Sequence, residues 1–598
     1  MPTTVAASPP IELYSRLPEL SNPQLSPDGE HFAVEMSYQG SRVLVVRDTY
    51  GAQPPSVVDP GEFKIHDYEW VANDRLVLYT RATSKVWNFL FNYVRLFSVD
   101  KNGGDIIPFR MRPNDNRFFA GYPHIVSRLP DDPDHVLAVL NDEYDRYGFP
   151  EVERVNIYTG QSKLAQRNVR DIVYWLADEQ GQLRIGFAIN DEGLGKRGSE
   201  ATIYHRRDEN SEWEVVQKAG VFAGATLSPV GFDPDDEMVL LVSSSELQNT
   251  DPMRDDATVY RYDLESGEFI GEYVDQVHRD IEAMVREQTG AARAKVTSWD
   301  DDKRRMMVMT YSDVSPPFYY LYERDEQRLS PLGGHYPELE SGDLAPMQLV
   351  EYRARDGRSI PGFLTLPKTR QGKPPLVVYP HGGPWARDYW GFDNYVQLLA
   401  SRGYAVFQPQ FRGSTGFGTE HLEAGYGQWG LAIQDDITDG VKWLIDEGKV
   451  DPDRICIYGA SFGGYAAAMG AVKTPDLYQC AITVNGVLDL KKLVKSARYM
   501  PLGDANLAMW NDPDDVDEAS PYHLYKQIKI PMLVIASDKD TVVPWVDHSK
   551  RFHKRLKKLD VESELVVLED GEHWRTNEAH ELQKMEAIIG FLDRHIGH

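Results

Sequence analysis

From about Ser21 to Leu339 the chain alternates short apolar or alternating runs with clusters of Asp, Gly, Pro and Asn. HFAVEMS, RLVLYTR, HVLAVLN, LRIGFAIN, MVLLVSS and RMMVMTY are such runs. Each has the length and the bounding turn residues of a β-strand. Helical periodicity is scarce here, His278–Gln288 apart. A loose repeat also runs through the region. A polar turn and a strand begin at SPDGEHFAV, VANDRLVLY, PDDPDHVLAV, SPVGFDPDDEMVLLV and WDDDKRRMMVM, and a second strand ending in a turn follows, as in RVNIYTGQ and TVYRYDLESGE. One small sheet repeated at ~40–50 residues predicts a β-propeller over 21–342, in preference to a pair of β-sandwiches or a β-helix, with about seven blades at ~45 residues each.

After about Leu344 the pattern changes. GFLTLP, PPLVVYPHGG, YAVFQPQFRG, RICIYGAS, CAITVNG, PMLVIASD and SELVVLEDGEH are apolar strands, separated by amphipathic stretches such as DDITDGVKWLIDEG and LQKMEAIIGFLDRH. Strands alternating with helices predict a mostly parallel sheet covered on both faces. MQLVEYRARDGRSIPGFLTLP reads as an antiparallel hairpin leading into it. The expected organisation is a segment 1–20, with one helical turn at Ile11–Leu17 and packing on the C-terminal domain, a propeller 21–342 and an α/β domain 343–598. The fold class is α/β plus all-β.

Composition narrows the function classes. The 598 residues carry a formal net charge of -28, which opposes nucleic acid or anionic membrane as a partner, since phosphates need Lys and Arg to displace their counterions. Solubility is the plain role of such a surface. No stretch reaches the ~18 apolar residues of a membrane span. The N-terminus MPTTVAASPPIELYSRLPEL lacks a basic start and an apolar core, so it does not read as a signal peptide. The expectation is cytoplasmic, or periplasmic or secreted if a leader has been removed. The two cysteines, Cys456 and Cys480, make neither a disulfide framework nor a zinc site. They fall on strands that read as parallel neighbours, so a bridge between them and two buried thiols both stay open.

The chemistry concentrates in ICIYGASFGGYAAAMG, where Gly459, Ser461 and Gly463 fit G-x-S-x-G. A β-branched strand runs in and an Ala-rich helix runs out, the setting of a nucleophile elbow. The sharp turn lifts the Ser461 hydroxyl to a helix N-terminus, and the glycines leave room for it. A serine needs a base, and in this arrangement the order is Ser, then Asp or Glu, then His. PMLVIASDKDTVVP offers Asp538 or Asp540, and ELVVLEDGEHW offers His573 directly after a strand end. His553, His580 and His595 sit in helical stretches with polar neighbours. PHGGP at 380–384 is a Gly-rich loop able to aim backbone N–H groups at an oxyanion. Phe462 and Gly383 are the expected pair of donors. No metal or organic cofactor is needed for acyl transfer by such a set.

Together PHGGP, FRGSTGFG, QDDITDGVKWL, GASFGGY, D-T-V-V-P and G-E-H resemble the catalytic domain of the prolyl oligopeptidase family of serine peptidases. The weaker propeller pattern fits the same family, so the resemblance covers nearly the whole chain. Acylaminoacyl peptidases and bacterial oligopeptidases are the nearest look. The resemblance implies Ser461 as nucleophile, His573 as base and Asp540, four residues before Pro544, as the acid. It also implies a propeller that restricts access to short peptides or small molecules.

Two departures stand out. Val542 occupies the position where many members carry a substrate-anchoring Arg, and no convincing Glu-Glu pair for a free amino terminus is found. Asp142-Glu143 is the weak candidate, which disfavours dipeptide-by-dipeptide cleavage. Trp385, Trp390, Phe462 and Trp545 read either as pocket walls, Trp385 and Trp545 foremost, or as core. Oligopeptidase or acylaminoacyl-peptidase activity is the leading expectation. A hydrolase of isopeptide-linked or cyclic peptides, an esterase or amidase, and a propeller-based binding protein with an inactive hydrolase domain are the alternatives. A homo-oligomer stays open.

Overall fold

The computed structural model describes residues 8–597, except 60, 62, 87–88, 110–122, 141–149, 169, 171, 191–199, 221–226, 245–250, 254–257, 369–371, 498–509, 511–515 and 576. The Asp142-Glu143 pair lies outside the described residues.

Between Leu20 and Gly334 the described residues form six four-stranded antiparallel sheets, each built from strands consecutive in sequence. Their apolar faces stack in pairs. Ala33, Leu44 and Val46 of the first sheet meet Tyr68, Leu76 and Leu78 of the second. Val77 and Leu96 of the second meet Val136 and Val155 of the third, and the third and fourth, then the fourth and fifth, pack in the same way. The ring closes where Leu20, Phe32 and Val34 pack on Met307, Tyr319 and Leu321 of the last sheet. Among the described residues the propeller comprises six sheets, beside the about seven blades that the repeat length predicts.

Most of the spacings exceed ~45 residues: the sheets start at residues 20, 64, 124, 172, 227 and 293. Two elements take up the extra chain. One is a hairpin of two 12-residue strands, Arg75–Val86 and Phe89–Asp100. The other is the helix Gln276–Thr289, capped by the Asp275 carboxylate accepting from His278 N and by Gly290 at φ 70°.

The C-terminal domain is built on one eight-stranded sheet. Its spatial order is Met347–Arg353, Ser359–Thr365, Ala405–Pro409, Leu376–Val378, Ile455–Ala460, Cys480–Val484, Met532–Ser537 and Ser563–Leu568. The first two strands form the antiparallel hairpin, and the six from Ala405–Pro409 onward are parallel to one another. Both faces are buried, which is why these strands read as continuous apolar runs. Successive side chains alternate between two cores. Leu376, Val378, Ile455 and Ile457 face helix Ala432–Asp446. Val377, Cys456, Tyr458 and Ile482 face helices Asn394–Ser401 and Glu578–His595.

Cys456 and Cys480 are register partners on that second face, and they are joined by a disulfide. The one-turn helix Ile11–Ser15 packs on the same side, with Tyr14 in the core. Two of its last carbonyls accept from side chains, Tyr14 O from Asn394 Nδ2 at 2.8 Å and Ser15 O from Arg575 Nη2 at 3.2 Å, so these orphan acceptors of the helix end are satisfied.

Candidate active site

Strand Ile455–Ala460 turns directly into helix Phe462–Lys473 through Ser461, whose φ of 56° and ψ of -119° lie outside the regions open to most side chains. The turn closes because its glycines lack side chains. A Cβ on Gly459 would collide with the Gly463 backbone, and one on Gly463 with the Pro380 carbonyl oxygen. Strain at a position fixed this firmly by its neighbours is a mark of functional sites. Ser461 N donates to Val484 O at 2.9 Å, which anchors the turn to the adjacent strand.

Two further turns lie at the C-terminal ends of neighbouring strands, where open α/β sheets carry their sites. Backbone bonds tie them together: Lys539 N donates to Gly571 O at 2.9 Å and Asp538 N to Leu568 O at 3.2 Å. The result brings His573 Nδ1 to 2.7 Å from Asp540 Oδ2. Asp540 Oδ1 accepts the N–H groups of Val542 and Val543 at 2.8 and 2.7 Å. Asp538, the rival carboxylate, has its Oδ1 buried without a hydrogen-bond partner. His573 and Ser461 line one cavity of about 60 Å³, together with Asn485, Ser537, Trp574, His580 and Glu581. His553 and His595 do not line it, whereas His580, read from sequence as a solvated helix position, does.

The PHGGP loop is held from behind. His381 Nδ1 donates to Gly382 O at 2.7 Å, its Nε2 is 2.8 Å from Ser414 Oγ, and its ring stacks on Phe411 at 4.3 Å. Burial pushes this imidazole down to about 4, so it stays neutral and structural. The next motif is fixed by Arg412, whose guanidinium grips buried Asp436 through bonds of 2.8 and 2.6 Å, linking FRGSTGFG to QDDITDG. Gly382 packs against Ser461, since a Cβ there would stand 3.6 Å from Ser461 Cβ. Gly383 follows at φ 118°. Phe462 opens the helix, so its N–H is among the first-turn donors that have no intrahelical acceptor.

Beside Phe462 lies an aromatic cluster only partly foreseen. Trp429 meets the Phe462 ring edge-on at 4.5 Å, and Trp385 and Trp510 lie 6.4 and 6.1 Å from Trp429. Tyr426 meets Trp385 at 6.3 Å. Trp385 joins this cluster, but Trp545 sits under the Lys550 ammonium, 4.9 Å away. Trp390 lies under the Arg293 guanidinium. Trp429 and Trp510 were missed by the sequence reading. The one local signal was an isolated Trp between Gly427 and Gly430.

The propeller reaches the residues flanking His573. Lys64 pairs with Glu572, Ser37 Oγ donates to Glu578 Oε1 at 2.8 Å, and Glu578 N donates to Gly40 O at 3.2 Å.

Residues 390–598 match the model of the prolyl oligopeptidase family. Dipeptidyl aminopeptidase BIII of Pseudoxanthomonas mexicana is 28% identical over 608 residues, which is 93% of this chain and 84% of the relative. The acylamino-acid-releasing enzyme of Rattus norvegicus is 26% identical over 233 residues, 37% of this chain and 32% of the relative. A crystal structure of puromycin hydrolase shares the fold at a TM-score of 0.71 and 16% identity, covering 98% of this chain and 96% of that one. The chain is therefore a serine peptidase, a propeller joined to an α/β-hydrolase domain. It carries a prolyl oligopeptidase family domain. Among the described residues no helix is long and apolar enough to cross a membrane.

Proposed function

We propose that Ser461, His573 and Asp540 cleave short peptides through an acyl-enzyme. The observation that carries this is the 2.7 Å His573–Asp540 bond facing the cavity that Ser461 also lines. In this reading His573 Nε2 takes the Ser461 proton as Oγ attacks the scissile carbonyl. The N–H groups of Phe462 and Gly383 receive the oxyanion, and Asp540 keeps the His573 tautomer and stabilises the imidazolium. His573 then protonates the leaving amine, and water releases the acyl group by the same steps. Trp385 and Trp510, half-buried and backed by the buried rings of Trp429 and Phe462, offer an apolar wall for the residue on the acyl side. Val542 contributes its N–H to Asp540 while its side chain is exposed, so the substrate carbonyl is anchored by groups other than an Arg at that position.

A second reading, removal of dipeptides from a free amino terminus, is favoured by the relative named a dipeptidyl aminopeptidase, which matches over 93% of this chain. A library of free and N-acetylated peptides, with products identified by mass, separates the two. Internal or acyl-blocked cleavage supports oligopeptidase action, and dipeptide ladders from free termini alone support the second. No cleavage of any peptide beside brisk ester hydrolysis would leave only an esterase.

A further inference from the structure

His573 is followed by Trp574, whose ring stands edge-on to the imidazole at 5.0 Å, 84° between planes. The indole is 58% exposed, the highest exposure of any Trp among the described residues that keep a large apolar surface in solvent. It lines the same cavity as Ser461 and His573. A large apolar side chain at the mouth of a reaction cavity is a binding surface in search of an apolar partner. The chemistry of acyl transfer says which part of the substrate that partner is. The base that takes the serine proton must later hand it to the leaving amine, so the leaving residue lies within hydrogen-bond reach of His573. The acyl-side wall at Trp385 and Trp510 is backed by Trp429, which packs on Phe462 of the helix that follows Ser461. Trp574 belongs instead to the His573 turn, where the departing half of the peptide sits.

We propose that Trp574 forms the subsite for the first residue of the leaving peptide, and that this subsite takes an aromatic or long aliphatic side chain. The inference rests on the acyl-transfer reading given above. Two observations of place support it. Glu572, on the other side of His573, is tied to Lys64 of the propeller, so the His573 turn is held where the two domains meet. Gly571 cannot carry a side chain without pressing on Leu568 and Ser537, so the turn presents Trp574 from a tightly packed base.

The test uses peptides identical on the acyl side and differing only in the first leaving residue, Phe or Gly, with the full-length wild type, Trp574→Ala and Trp574→Phe. Wild type is expected to favour Phe over Gly in kcat/KM. Trp574→Ala should cut that ratio about tenfold, the scale on which an apolar pocket discriminates side chains, and Trp574→Phe should restore most of it. An independent readout is partition of the acyl-enzyme between water and added amines: phenylalanine amide should capture more acyl group than glycine amide in wild type, and lose that advantage in Trp574→Ala. An equal loss on both peptides, with the ratio kept, would show that Trp574 merely supports His573 and would overturn the proposal. So would a wild type indifferent to the leaving residue. Full turnover by Ser461→Ala would instead overturn the acyl-enzyme reading beneath it.

Discussion

Asp540 holds His573 with one carboxylate oxygen, Oδ2 at 2.7 Å from Nδ1, and spends the other on the N–H groups of Val542 and Val543. Each oxygen thus has a fixed task, and the carboxylate cannot rotate without breaking two backbone bonds. In Asp540→Asn the amide oxygen should stay on the backbone donors, turning the NH2 toward His573. The imidazole is then driven to carry its proton on Nε2, the wrong tautomer for a base. Peptidase kcat/KM is expected to fall by about 10³–10⁴, with little change in melting temperature. Steady-state kinetics beside a thermal melt check this.

The elbow depends on two missing side chains. Gly463→Ala would place a methyl group on the Pro380 carbonyl, and overpacking of this kind costs about 1–3 kcal/mol. Gly382→Ala would meet Ala460 O at 3.5 Å and Ser461 Cβ at 3.6 Å, ordinary contacts. The first variant is expected to melt several degrees lower or express poorly. The second is expected to keep its stability within about 0.5 kcal/mol. Melting curves of the two, side by side, decide.

Asp388 sits behind the PHGGP loop with its Oδ2 buried and unpartnered, near the equally unpartnered Gln408 Oε1. Burial first, then the Asp393 carboxylate, pushes its carboxyl up to about 8. The folded protein therefore binds this proton more tightly than the unfolded chain. Its contribution to stability is fully present below the ordinary carboxyl range near 4, and is lost as pH rises through 8. Asp388→Asn mimics the protonated form and removes the loss. Its melting temperature should match wild type near pH 4 and exceed it by about 2–4 °C per kcal/mol gained at pH 8 and above. A melting series across pH 4–9 shows the gap opening, or shows parallel curves and contradicts the assignment.

The Cys456–Cys480 bridge closes a loop with a sequence separation of 24 residues. Closing a loop of that size restricts the unfolded chain by about 3 kcal/mol. Both residues are fully buried and face away from the site, among Val377, Tyr458 and Ile482. The double variant Cys456→Ala/Cys480→Ala should melt lower while its kcat is retained. A thermal melt and steady-state kinetics on the same preparation check both halves.

What could be read from sequence is what a short stretch of chain settles by itself. The strand, glycine turn and helix around Ser461 are encoded within Ile455–Lys473, and the helix over Gln276–Thr289 announces itself by its own periodicity. About seven blades follow from a repeat of ~45 residues, whereas the described residues form six sheets, because one long hairpin and a helix stretch the spacing between them. Trp429 meets Phe462 and Trp510, and Tyr426 meets Trp385, only after folding brings distant segments together, so no local pattern marks them. The bridge between Cys456 and Cys480 needed the strand register, which two parallel runs do not reveal separately.

The most direct test of the central claim is intact-mass analysis of the protein after a fluorophosphonate, with the adduct mapped by digestion. The account requires a single adduct on Ser461, formed at the rate at which peptidase activity disappears and absent from Ser461→Ala, which should be inactive. Peptidase activity surviving in Ser461→Ala, or an adduct on another residue that tracks the loss of activity, would contradict it.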